Sequence, residues 1–372
     1  MKKILFVFGT RPEAIKCCPV VIEMKNRKEF DVKVCVTGQH KEMLQQVLDV
    51  FDIQPDYNLA IMKENQTLFD VTSNILSAIK EVYEKERPDI ILVHGDTTTA
   101  FVAGLAAFYM KIPVGHIEAG LRTHNLYSPY PEEFNRQAIG LLAEYHFSPT
   151  QAAADNLIRE GKRNDKIWVT GNTSIDALKT TVREDYTSPL LEWSGNRRLV
   201  VLTAHRRENC GKPLCDMFNA IRRVAEEFKD IAILFPAHPN PVVQTTAKEI
   251  LGVVDNIKII PPLDVIDFHN MIARSYLVLT DSGGIQEEAP ALGKPVLVMR
   301  DTTERPEGVE AGTLRLIGTQ QEDIYHAFVE LLTDREIYNK MSNAQNPYGD
   351  GFASRRIADV LENSCDALIY PN

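Results

Sequence analysis

The sequence predicts an α/β protein of two doubly wound domains, each a parallel sheet with helices on both faces. Three observations carry that expectation. Short apolar runs alternate with stretches of helical period; the alternation breaks at a polar stretch around residues 184–196 and then restarts; and the residues that directly follow the runs are polar. A length of 372 residues suits two domains of about 150 residues each.

Taken in order, residues 3–8, 31–36, 89–93 and 112–117 read as strands, and weaker runs at 145–148 and 166–169 continue the series. Helical stretches at 131–144 and 151–160 lie between them. After the polar stretch the expected strands are 198–203, 231–236, 257–260, 276–280, 295–298 and 314–317. The parse is a Rossmann-like domain over residues 1–180, a second over 195–350, and a C-terminal helix and tail over 351–372.

Composition narrows the partners. With 44% hydrophobic and 25% charged residues the chain matches ordinary globular proteins. Lys+Arg 41 against Asp+Glu 51 gives a net charge of −10, so no basic field draws it to nucleic acid or anionic lipid, and an anionic ligand must be held by a few local groups. The six cysteines form no CxxC pair, which fits free thiols in a reducing cytosol. The longest apolar run, 100–110, is too short for a membrane span of about 20 residues, and the polar motif at 9–13 cuts short what would otherwise resemble a signal peptide. A cytoplasmic location is therefore expected.

In doubly wound sheets ligands sit beyond the carboxyl ends of the strands. There the sequence places Gly9-Thr10-Arg11-Pro12-Glu13, His94-Gly95-Asp96-Thr97, Glu118-Ala119-Gly120-Leu121-Arg122, His205-Arg206-Arg207-Glu208 and Asp281-Ser282-Gly283-Gly284, which are expected to face one crevice between the domains. No GxGxxG follows the first strand, no GxxxxGK[ST] occurs, and the nine histidines show no HExxH. Neither a dinucleotide cofactor nor a catalytic metal is expected.

Each motif has a functional and a bland reading. Ser282, Gly283 and Gly284 stand between a strand and a helix, where small residues let a phosphate approach free N–H groups; the alternative is a tight turn with Ser282 as N-cap. Glu288, one turn on, is placed to accept from ribose hydroxyls or is simply solvated. Arg11 and Lys16 flank the start of the first helix, where long cations reach a phosphate, and Pro12 stiffens that turn; surface charge is the alternative. Three carboxylates, Asp96, Glu118 and Glu132, point to proton transfer, because clustered acids can divide into acid and base roles; Glu132 and Glu133 could instead stabilise a helix start. His205, beside Arg206 and Arg207, is placed to donate to a diphosphate oxygen, and Arg305 follows another strand as a ligand contact.

The run of motifs Gly9 to Lys16, His94-Gly95-Asp96-Thr97-Thr98-Thr99, Glu118 to Thr123, Pro129-Tyr130-Pro131-Glu132-Glu133, Thr203 to Asn209, Thr280 to Pro290, Arg300 to Gly308 and Asn346 to Gly351 resembles the non-hydrolysing UDP-N-acetylglucosamine 2-epimerases over nearly the whole chain. The resemblance implies a GT-B-like arrangement of the two domains, a homodimer, no cofactor and no metal. It implies reversible conversion of UDP-GlcNAc to UDP-ManNAc for surface polysaccharide, by elimination of UDP to 2-acetamidoglucal and re-addition. By that resemblance Asp96, Glu118, Glu132 and His205 are catalytic. Arg11, Lys16, Ser282, Gly283, Gly284, Glu288 and Arg305 bind UDP, and the backbone of Phe268 lies at the uracil. Gln39, Glu42, Glu132, Arg206 and His238 match a second UDP-GlcNAc site that regulates some members.

Two departures stand out. Cys17-Cys18 replaces a bulky and a small apolar residue, and Asn65 stands where some members carry an arginine of the second site, with Lys63 nearby. Two other classes remain open on the sequence. A glycosyltransferase or hydrolysing epimerase on the same fold would release UDP in stoichiometric amount, and a non-catalytic sensor would have lost one of the three carboxylates.

Overall fold

The computed structural model describes residues 1–38, 41–61, 66–206 and 209–364, with the backbone alone for Lys41 and Glu42. The chain divides into two units, Met1–Lys179 with Tyr348–Asn372, and Thr180–Pro347. In the first unit β1 (Lys2–Phe8), β2 (Phe30–Val36), β3 (Tyr57–Asn58), β4 (Ile90–His94), β5 (Val114–Ile117), β6 (Tyr145–Ser148) and β7 (Ile167–Val169) form a parallel sheet in the order β3-β2-β1-β4-β5-β6-β7. In the second unit β8 (Arg198–Thr203), β9 (Ile231–Pro236), β10 (Ile257–Ile260), β11 (Leu277–Thr280), β12 (Val296–Val298) and β13 (Leu314–Leu316) run parallel in the order β10-β9-β8-β11-β12-β13.

Both orders reverse direction beside the first strand, which puts a topological switch point between β1 and β4 and another between β8 and β11. These are the places where loops splay apart and leave room for a ligand. Strand β8 shows why the runs are continuously apolar. Val200 and Leu202 pack with Met217, Phe218 and Ile221 on one face, while Leu199 and Val201 pack with Met271 and Ile272 on the other. A sheet covered on both faces has no side for polar residues to alternate onto.

Each expected strand is present, with bounds moved by two residues at most. The edge strand β3 was not legible, because two residues make no run. The division of the chain differs from the expected ranges at both ends. Residues of the polar stretch belong to the second unit: Tyr186, Leu190 and Leu191 pack on its core, and Thr181 Oγ1 lies 2.7 Å from His269 Nδ1. At Tyr348 the chain returns to the first unit. Gly171 and Gly349 meet so closely, both at positive φ, that a Cβ on Gly171 would lie 3.3 Å from the Gly349 Cα. The Asp176 carboxylate then accepts the amides of Ala353 (3.2 Å) and Ser354 (2.7 Å), and Arg27 pairs with Asp359 (2.7 Å) and Glu362 (2.6 Å) on the helix Ala353–Asn363. Among the described residues no helix is long and apolar enough to cross a membrane.

Candidate active site

At the first switch point a buried carboxylate ties two loops together. The helix Arg11–Lys25 begins with a capping box in which Thr10 and Glu13 exchange hydrogen bonds. Glu13 accepts the amides of Gly9 (3.0 Å) and Thr10 (2.8 Å), and the Thr97 hydroxyl from the loop after β4 (2.6 Å). Gly9 is required there, since a Cβ would meet Thr37 Oγ1 at 2.0 Å. Arg11 stands half-buried at the first position of that helix, directly beside this clamp.

Glu118 follows β5 with φ +64°, left-handed backbone that costs a non-glycine residue roughly 1–2 kcal/mol. Its carboxylate is ion-paired with Lys16 and accepts from Asn172 Nδ2 at 2.8 Å. His94 Nε2 lies 4.0 Å from the same oxygen, and burial pushes that imidazole down to about 4. The structure thus places Lys16 on a catalytic candidate, where the sequence reading had aimed it at a phosphate.

Asp96, in the loop after β4, is gripped from the helix Glu132–Leu142. Arg136 approaches its Oδ2 at 2.7 Å through Nη2 and 2.8 Å through Nε, and Asn135 Nδ2 donates to its backbone oxygen at 2.9 Å. Arg136 also reaches Glu133 (3.1 Å), which is fully buried and accepts the amides of Thr123 and His124, both at 3.1 Å. Glu132, one residue earlier, is half-buried, and among the described residues its carboxylate has no partner. Of the two neighbouring acids, Glu133 is therefore the one tied into the structure.

The second switch point repeats the device. Asp281, after β11, is fully buried and accepts the amides of His205 (2.9 Å) and Arg206 (2.9 Å), Asn209 Nδ2 (3.2 Å) and His205 Nδ1 (3.0 Å). Burial alone would raise this carboxyl, yet the His205 contacts and the amides hold it below the usual range. The His205 ring stacks on His238 with centroids 5.9 Å apart. Arg206 spans from the Asp281 carbonyl to Glu304, each 3.2 Å away.

The turn after Asp281 fits an anion. The helix Ile285–Ala291 is capped by Gly284 with no side-chain cap bond, so Ser282 is not the N-cap. Among the described residues the amides of Gly283, Gly284 and Ile285 and the Ser282 hydroxyl have no partner. Arg305 lies over this turn: its Nη1 would sit 2.7 Å from a Cβ on Gly283. Glu287, itself buried, binds the Arg305 Nε, and Glu304 approaches Nη1 at 3.2 Å. Burial would raise Glu304, but Arg305, Arg300 and Arg206 hold it at about 2. Glu288 lies 3.6 Å from His269 Nε2.

Phe268 is half-buried against the second core, and its amide already donates to Asp264 at the start of the helix Val265–Arg274. Gln39, Lys63, Asn65, Arg207 and Glu208, and the Glu42 side chain, lie outside the described residues. The residues that sequence reasoning passed over are Glu13, Arg136, Asp281 and Glu287, while Glu133 takes the structural role that was its alternative reading. All stood inside or beside the quoted motifs, but their work is to hold neighbours in place, and nothing in a residue's type announces that.

The family model described as UDP-N-acetylglucosamine 2-epimerase matches residues 22–362. The UDP-N-acetylglucosamine 2-epimerase of Bacillus subtilis is 59% identical over 359 residues, covering 96% of this chain and 94% of that protein. The UDP-GlcNAc 2-epimerase of Neisseria meningitidis, solved bound to UDP-GlcNAc, is 48% identical with a TM-score of 0.90, over 96% of this chain and 99% of that one. The S. aureus MnaA co-structure with UDP is 50% identical with a TM-score of 0.91, over 97% and 96%. With switch points, acids and anion turn arranged as above, the chain belongs to the UDP-N-acetylglucosamine 2-epimerase family.

Proposed function

We propose that this chain interconverts UDP-GlcNAc and UDP-ManNAc without net release of UDP, in the cytoplasm and for surface polysaccharide. The observation that carries the reading is the turn Ser282–Ile285, where among the described residues three amides and a hydroxyl have no partner beneath a pinned arginine, while the first unit presents acids at its own switch point. A base takes the C2 proton; the C1–oxygen bond breaks, leaving 2-acetamidoglucal and UDP; C2 is protonated on the other face and UDP adds back at C1. Asp96, Glu118 and Glu132 serve the two proton transfers. The turn, Arg11, Arg305 and His205 hold the diphosphate as its charge develops, and such fixed donors are typically worth about 3 kcal/mol each. That the Neisseria meningitidis relative binds UDP-GlcNAc supports the substrate.

A homodimer belongs to the same proposal. Exposed Phe69, Phe108, Tyr109, Phe134 and Leu141 lie on the helices Leu68–Glu86, Thr98–Tyr109 and Glu132–Leu142, which pack side by side, and such apolar surface suits a second copy.

The test is to incubate the protein with UDP-GlcNAc and quantify nucleotide sugars and UDP. An equilibrium mixture of the two epimers with only trace UDP supports the reading. UDP released in stoichiometric amount points to hydrolysis or glycosyl transfer.

A further inference from the structure

His205 and Asp281 stand on neighbouring strand ends held in strict register. Strands β8 and β11 pair Thr203 with Thr280, whose hydroxyls lie 2.6 Å apart, and the next residues bring His205 and Asp281 side by side. Asp281 is fully buried, while the His205 side chain is 40% exposed, so the imidazole has one nitrogen against the protein and the other toward open space.

The chemistry of the contact sets the ring's proton. Asp281 already accepts two backbone amides and an Asn209 N–H, an environment that keeps its carboxylate ionised. An ionised carboxylate only accepts, so a nitrogen 3.0 Å from it must carry hydrogen. Nδ1 is therefore the protonated position in the neutral ring, and Nε2 is the outward lone pair. On the ring's other side stands His238, whose Nδ1 accepts the Asn240 amide at 3.2 Å. His238 accordingly places its own hydrogen on Nε2. Burial and the nearby His205 push His238 down.

We propose that Asp281 is a positioning residue for catalysis, holding His205 in the Nδ1–H tautomer so that Nε2 exchanges a proton with the departing and returning diphosphate. When Nε2 is protonated, the imidazolium donates to a phosphate oxygen as the C1–oxygen bond breaks, and the Asp281 charge compensates the cation. The inference rests on the proposed function for the identity of the anion. The tautomer itself rests on the protein alone. Among the described residues the charged and titratable groups against the ring are Asp281 from the end of β11 and His238 from the end of β9, while Arg206 of the same loop reaches the Asp281 carbonyl and Glu304.

Replacing Asp281 by Asn tests this. The amides of His205 and Arg206 require the Asn oxygen, which turns the NH2 group toward Nδ1. Nδ1 must then accept, and hydrogen moves to Nε2. Two-bond proton–nitrogen NMR of protein labelled with 15N-histidine, with the His205 signal assigned by its loss in His205→Gln, reads the tautomer directly. In the unliganded wild type we expect Nδ1–H, and in Asp281→Asn the Nε2–H form. With UDP-GlcNAc, Asp281→Asn should lower kcat at least tenfold with little change in KM and shift the alkaline limb of kcat to lower pH. In the His205→Gln background the same substitution should cost little further.

A wild-type His205 in the Nε2–H form overturns the proposal, and that measurement needs no variant to fold. So does an Asp281→Asn protein that folds and keeps both tautomer and pH profile. If the wild type fails to epimerise, the proposed function falls while the NMR result still decides the tautomer. If it epimerises normally and the tautomer is wrong, only this inference falls.

Discussion

Lys16 and Glu118, 102 positions apart in sequence, form an ion pair at the first switch point, with side chains only 14% and 9% exposed. The pair joins the helix after β1 to the end of β5. A carboxylate expected to move protons is thus also a structural partner, whereas Glu132 has none among the described residues. The two acids should therefore separate under mutation.

Glu118→Gln and Glu132→Gln should each cut kcat by about 10² to 10⁴, the usual yield of a general acid or base. Their effects on folding should differ. Removing one charge of a largely buried pair strands the other, at about 3 kcal/mol when burial is complete and somewhat less here. Glu132→Gln should stay within about 0.5 kcal/mol of wild type. Urea unfolding of both variants, with Lys16→Met/Glu118→Gln as the double variant that recovers part of the loss, checks this. Equal stability of the two single variants would show that the Lys16 contact carries no weight.

Arg305 is held by Glu287 and Glu304 over the Gly283 turn, so its guanidinium is already oriented for the proposed diphosphate. Arg305→Ala should weaken UDP binding by about 1.5–3 kcal/mol, the range for a charge-assisted hydrogen bond. Arg305→Lys should recover little, because an ammonium lacks the fork that Glu287 and Glu304 hold. Calorimetric titration with UDP reads both. Unchanged affinity in Arg305→Ala would place the diphosphate elsewhere.

His94, His116 and His146 lie on adjacent strands, buried, and burial pushes them down to about 4, 3 and 3 from 6.5. Below 6.5 the unfolded chain binds protons that the folded chain refuses. Stability should therefore fall as pH drops from 6.5 toward 4, by about 1.4 kcal/mol per pH unit for each histidine. Burial pushes Glu13 and Asp176 up, which opposes this above the usual carboxylate range, so variants isolate the effect better than the raw slope. Urea unfolding at pH 7.5, 6 and 5 should show a shallower slope in His116→Gln and His146→Gln. An unchanged slope in both would contradict the assignment.

The strands were legible because a sheet covered on both faces leaves uninterrupted apolar runs, and Val200 to Leu202 shows the two cores that demand them. Asp96, Glu118 and the glycine turn were legible because they directly follow strands, and Glu132 because it opens a helix behind Pro131. The clamps were not. Glu13 and Asp281 look like any acid in a polar loop, and only the fold shows Thr97 and His205 coming to them. Nor was the return at Tyr348 visible, since it depends on Gly171 and Gly349 meeting across 178 positions.

The second substrate site is proposed on Gln39, Glu42, Arg206 and His238, and Asn65 lacks an arginine's fork there. Coupling between two sites is commonly about 1–3 kcal/mol, so one lost contact removes much of it. Starting from UDP-ManNAc alone, the wild type should show a short lag, and Asn65→Arg a longer one that trace UDP-GlcNAc abolishes. A long lag already present in the wild type would show that position 65 matters little.

The central claim is that hydrogen leaves C2 as a proton taken by a carboxylate, with UDP departing and returning. Incubating the protein with UDP-GlcNAc in deuterated water and reading C2 by proton NMR and mass spectrometry tests it most directly. The account predicts that both epimers carry deuterium at C2 while free UDP stays at trace level. Epimerised product that retains its original hydrogen at C2 would contradict it.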